Sequence, residues 1–151
     1  MARQFSDAAS RLLRSGPTTG ARADLAVAAR IVAGAVFVVF GAGKFVNHAS
    51  ELDSFRGYGL PSPEAFVYVI GAVELVGGTF LIIGLGTRLA ALALAGDMVG
   101  AIIVSGIARG EPISLTIAPA ELVLCLYLVW TGPGNHAVDM RSRPVRTRAD
   151  R

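Results

Sequence analysis

Cysteine is nearly missing from this sequence: among 151 residues there is only Cys125, set deep in an apolar run. A single thiol excludes an intramolecular disulfide, a Cys-x-x-Cys redox pair and a cysteine-rich metal site, and leaves the redox compartment unread. Histidine is almost as scarce, with His48 and His136 alone, so a soft or imidazole-rich metal centre has no ligand set. No Walker loop, dinucleotide fingerprint or Gly-x-Ser-x-Gly elbow occurs, and Gly77-Gly78 and Gly84-x-Gly86 sit where helices pack or turn rather than where phosphates are cradled. Charge is thin as well, at 17% of residues against roughly 25% in an average soluble domain.

What is plentiful is apolar surface. Hydrophobic residues make up 53% of the chain, more than one soluble core of this length can enclose. The few charges are also badly mixed. Four arginines stand in the first 24 residues and five between Arg141 and Arg151, with long uncharged stretches between these ends. The net charge of +3 therefore points to anionic lipid headgroups rather than to nucleic acid.

A membrane helix needs about 20 mostly apolar residues to cross a hydrocarbon layer of ~30 Å. Four windows qualify, at residues 25–45, 65–86, 89–107 and 113–130. The first reads as an uncleaved membrane helix, since no small-x-small cleavage site follows it. Residues 47–64 read as a polar loop ending in Gly59-Leu60-Pro61-Ser62-Pro63, where proline suits a helix start. The short Gly86-Thr87-Arg88 link makes the second and third spans antiparallel neighbours. Runs this long, without period-two alternation, are poor strands, and an open sheet would leave unpaired backbone groups in lipid.

Sidedness follows from counting Lys and Arg. With the N-terminus inside, ten basic residues (Arg3, Arg11, Arg14, Arg22, Arg88 and five in the tail) face the cytoplasm and three (Lys44, Arg56, Arg109) face away. The sequence thus describes an all-α integral membrane four-helix bundle with N- and C-termini cytoplasmic, multi-pass in a bacterial cytoplasmic membrane. It divides into a basic arm at 1–24, a four-helix domain at 25–132 and a solvated basic tail at 133–151. Within the arm, Phe5, Ala9, Leu12 and Leu13 share one helical face that suits lying flat on the membrane; a disordered arm is the alternative.

Every span carries an ionisable residue. Glu74, Asp97 and Glu121 each fall near the middle of a span, where a charge costs ~3 kcal/mol on insertion scales. They must therefore face the bundle interior, where a partner, water or a proton neutralises them. On the first span Arg30, Gly34, Phe37, Gly41 and Lys44 recur at spacings of three and four, a stripe of the kind that lets helices approach closely in lipid. Pro119 lacks the N–H that would bond the Leu115 carbonyl, and a kink beside Glu121 suits a cavity wall. The candidate ligand-contacting or proton-handling residues are Glu74, Asp97 and Glu121, with Arg30, Lys44 and Arg88 as their charge partners. The bland alternative is that these are structural ion pairs, snorkelling cations and topology signals. Cys125 reads as a packing residue. No residue is assigned as catalytic or as a metal ligand, and His48 and His136 fall on opposite membrane faces, so they cannot share a haem.

With these residues in view, the chain resembles the DoxX family of small four-helix membrane proteins. The resemblance is carried by Arg30 with Gly41-Ala42-Gly43-Lys44, by Gly59-Leu60-Pro61, by Glu74-Leu75-Val76-Gly77-Gly78, by Gly86-Thr87-Arg88, and by Met98 with Ala101, across about residues 25 to 132. It implies a link to quinone-linked oxidation, as in thiosulfate:quinone oxidoreductase and quinol oxidase assemblies, or to oxidative-stress complexes. Asp97 is not carried over from the family pattern.

The expected function is a membrane subunit that binds a hydrophobic ligand, a quinone, for a redox partner protein. It would not be a stand-alone enzyme and would carry no intrinsic cofactor. A non-catalytic scaffold or assembly protein is the second reading. A small proton-coupled transporter is the third, disfavoured because four helices without an inverted repeat are few unless a homo-oligomer supplies more.

Overall fold

The computed structural model describes residues 20–135 and 137–141. The amphipathic arm segment, His136 and most of the basic tail lie outside the described residues. Those described form helices and short turns, with no strand among them. Helix α1 runs Ala21–Val46, α2 His48–Gly57, α3 Pro63–Ile83, α4 Thr87–Ala101, α5 Pro112–Thr131 and α6 Val138–Arg141. Helix α4 continues without a break into a wider π turn at Ile102–Ile107.

Four of these helices are long and apolar enough to span a membrane: α1, α3, α4 with its π turn, and α5, at 26, 21, 21 and 20 residues. At 1.5 Å per residue, about 20 residues match the hydrocarbon thickness. The bundle is apolar on its outer face as well as inside. Val39, Leu89, Val123 and Ile107 all point outward, and Trp130 is 74% exposed at the end of α5. That surface suits lipid rather than water.

Glycine sets the tightest helix contact. A Cβ added at Gly34 of α1 would lie 2.7 Å from the Gly78 carbonyl oxygen of α3, and one at Gly41 would lie 2.6 Å from the Leu75 nitrogen. Backbone therefore touches backbone along the α1–α3 seam, which small residues permit in lipid. All five members of the first-span stripe (Arg30, Gly34, Phe37, Gly41 and Lys44) are buried. Phe37, Leu81, Leu94, Cys125 and Leu128 fill the interior.

Two segments differ from their expected form. The loop expected at 47–64 contains α2, whose Phe55 is buried and packs its ring 5.2 Å from Tyr58. Its His48 ring stacks on Tyr68 of α3 at 4.6 Å. The tail expected to be solvated from residue 133 begins as a docked segment. Gly134 and Ala137 are buried, and Asp139 takes the backbone N–H of Gly86 at 2.7 Å and of Thr87 at 3.0 Å. Its carboxylate thereby satisfies donors that the first turn of α4 leaves unpaired.

Candidate functional site

The close α1–α3 seam decides where the charges meet. Gly71 leaves room for Lys44: a Cβ there would lie 3.1 Å from the Lys44 Cβ. From that position the Lys44 ammonium reaches Glu74 Oε2 at 2.7 Å. Both residues are buried, at 9% and 4% exposure. Asp97 of α4 faces the same pair, so one ammonium stands against two carboxylates. A bound proton would neutralise the group, and burial makes some such neutralisation necessary.

Lys44 and Glu74 also line a cavity of about 100 Å³ between α1, α3, α4 and α5. Glu121 lines it from α5, where it is buried and its Oε2 has no hydrogen-bond partner among the described residues. Phe37, Phe40 and Met98 supply apolar wall. The rim includes Ile113 and Ile117 of α5, which are 56% and 38% exposed. The cavity thus has a charged floor near mid-span and an apolar mouth on the outer surface of the bundle, between α1 and α5.

The six charged candidates separate into two places. Lys44, Glu74 and Glu121 share the cavity, and Asp97 stands behind Glu74. Arg30 and Arg88 lie at the opposite end of the bundle. Arg30 donates to the Pro133 carbonyl at 3.1 Å and faces Asp139, while Arg88 donates to the Trp130 carbonyl at 3.3 Å. Both bond the segment at the end of α5, on the side of the bundle where α1 begins.

Sequence reasoning missed a polar cluster at the other end. The Tyr58 hydroxyl donates to Glu111 Oε1 at 2.8 Å. Ser105 donates to Glu111 Oε2, and Ser105 and Ser114 hydroxyls are 2.7 Å apart. Ser114 also lines the cavity. Two signals could have pointed here: Glu111 directly precedes a span, and Ser105 falls in the last turn of another.

A bundle of four spans around a charged, laterally open cavity defines a small polytopic membrane protein with a site inside the apolar layer. The chain belongs to the DoxX family, whose model matches residues 25–106. That match takes in α1 through most of the π turn, a shorter reach than the resemblance through residue 132. It includes Lys44, Glu74 and Asp97 but not Glu121.

Named relatives agree with the class. An uncharacterized membrane protein of Mycobacterium tuberculosis is 33% identical over 74% of this chain and 77% of its own length. CatD of Bacillus subtilis, provisionally described as an oxidoreductase, is 40% identical over 49% of this chain and 54% of its own. An uncharacterized protein of Haemophilus influenzae is 32% identical over 73% of this chain and 84% of its own. No solved structure matches the chain significantly.

Proposed function

We propose that this protein is a membrane subunit that holds a quinone-like ligand, an apolar chain bearing one polar ring, on behalf of a redox partner protein. The observation that carries the reading is the cavity, which places Lys44, Glu74 and Glu121 at the end of an apolar passage open to lipid. The residues fit such a ligand. An enclosed cavity of about 150 Å³ accommodates benzene; this one, at about 100 Å³, is smaller but open on one side, so the polar edge of a ring would enter while the rest of the ring and its chain stay among lipid tails. The ligand would supply the two-electron redox couple, and the partner would exchange the electrons with it.

The chain's own residues supply binding and proton handling. Lys44 donates a hydrogen bond to a ring oxygen, and Glu74 holds the ammonium in place as its ion-pair partner. Glu121 gives or takes a proton on the facing wall. Phe37, Phe40 and Met98 exclude water from the ring. The similarity to CatD supports a redox setting.

A scaffold is the second reading, and the observation that favours it is that Lys44 and Glu74 already form an ion pair with one another. Titrating decylubiquinone into the protein in nanodiscs separates the two. Saturable binding, weakened at least tenfold by Glu121→Gln with folding unchanged, supports the ligand site; indifference to Glu121→Gln favours the scaffold.

We also propose that both termini face the cytoplasm of a bacterial cell, from the ten-to-three division of basic residues. Labelling of Ser142→Cys by an impermeant maleimide on intact cells would overturn that orientation.

A further inference from the structure

We propose that Ser114, Ser105 and Glu111 form a proton exit leading from the cavity to the membrane face that carries the α4–α5 loop. The assignment deepens the ligand-site reading and rests on it only in needing a proton to be released in the cavity. Ser114 is the joining residue, because it lines the cavity and contacts Ser105 at 2.7 Å. Ser105 in turn reaches Glu111. Glu111 immediately precedes α5 and is half-buried beside the exposed Arg109 and Gly110 of the loop.

The π turn makes the chain of hydroxyls possible. A regular α-helix through Ile102–Ile107 would set residue 105 at a different angle, whereas the wider turn carries Ser105 inward to 5% exposure. Such turns inside α-helices occur frequently at functional sites. The loop is fastened to the same turn: Gly110 donates to the Gly106 carbonyl at 2.7 Å and Glu111 to the Ser105 carbonyl at 3.3 Å. Tyr58, at the end of α2, helps hold the Glu111 carboxylate in place by donating to its Oε1.

The donors run in one direction. Ser105 gives its hydrogen to Glu111, so the contact between the two serines is made by the Ser114 hydrogen. Each hydroxyl thus points from the cavity toward the outer face. In one transfer the Ser105 proton passes to the Glu111 carboxylate, the Ser114 proton replaces it, and Ser114 takes a proton from the cavity. Glu111 then releases one proton to solvent, so one proton leaves the cavity for each one delivered and no electron moves.

Glu121 stands seven residues beyond Ser114, about 10 Å along the same helix. Both side chains line the cavity, whose volume of about 100 Å³ leaves room for water to bridge them when no ligand fills it. The charged groups facing this route are Lys44, Glu74 and Glu121 at its inner end, and Glu111 with the nearby Glu51 at its outer end.

The test is a pH jump on the full chain in nanodiscs, followed by infrared bands of the cavity carboxyls. Those bands are identified by their loss in Glu121→Gln and Glu74→Gln. Ser105→Ala and Glu111→Gln should each slow deprotonation at least tenfold without changing its final extent. Ser105→Thr, which keeps the hydroxyl, and the exposed-site control Ser54→Ala should keep the parent rate. If Ser105→Ala does not fold, Ser114→Ala carries the same expectation.

Unchanged rates in the folded variants would overturn the route, and so would a cavity in which no carboxyl titrates. Decylubiquinone binding is measured on the same samples. Slowed rates without any binding would remove the quinone reading and leave the exit standing; binding with unchanged rates would do the reverse.

Discussion

Lys44 carries more of the site than any other residue, because it is the cation paired with the buried Glu74 and faced by the half-buried Asp97. Removing it leaves Glu74 and Asp97 facing one another in a low-dielectric interior, and unpairing a buried ion pair costs roughly 3–5 kcal/mol. Lys44→Met should therefore lower thermal stability in nanodiscs steeply, while Lys44→Met combined with Glu74→Gln recovers part of the loss. A double variant no more stable than Lys44→Met would show that the pair is not coupled. Tyr58 gives a second residue-scale expectation. Burial raises its phenol above the ordinary tyrosine range, with the Glu111 carboxylate adding to the rise and the Ser105 contact opposing it. The folded state thus holds this proton more tightly than the unfolded state. Stability from this group is intact below pH ~10 and falls as pH rises through the folded value. A spectrophotometric titration should lose its latest-ionising phenol in Tyr58→Phe. Lys44 and Glu74 were legible in the sequence because charge in an apolar run demands an explanation. Ser105 and Ser114 were not, since a serine in a membrane helix satisfies itself on its own backbone and carries no comparable signal.

At the scale of elements, the contact between α1 and α3 is what aims Lys44 at Glu74, and glycine permits it. Gly34→Ala and Gly78→Ala would each press a methyl against the facing helix backbone at 2.7 and 2.8 Å. Each should cost about 1–3 kcal/mol, the usual range for overpacking. Gly43→Ala and Gly96→Ala meet nothing within 4 Å and should be neutral or stabilise by up to ~1 kcal/mol through helix propensity. Equal effects at the two classes of site, measured by thermal unfolding in one nanodisc preparation, would refute a backbone-close seam. The four spans were readable because length and hydropathy report a membrane directly. Helix α2 was not, since Leu52 and Phe55 are its main apolar residues and its packing against α3 is a tertiary fact. The docked segment after Gly132 escaped for a similar reason: its anchor is the Asp139 carboxylate on the α4 N-terminus, which no local pattern in a Gly- and Arg-rich stretch announces.

For the whole molecule, the decisive property is that its site opens sideways. Under the proposed reading, ligands that partition into lipid would reach the mouth between α1 and α5 without crossing water, concentrated there by the membrane itself. Ile117 stands at that mouth, partly exposed to lipid while lining the cavity, so its size should govern entry without affecting the charged floor. Ile117→Trp should weaken decylubiquinone binding at least tenfold, about 1.4 kcal/mol, while leaving thermal stability and the Lys44–Glu74 pair unchanged. Ile117→Ala should leave affinity within a few-fold of the parent and quicken association. If Ile117→Trp binds as tightly and as fast as the parent, the ligand enters by another path. The α1–α5 seam would then be only a packing gap, and the search for a mouth would move to the membrane face at Tyr58 and Glu111.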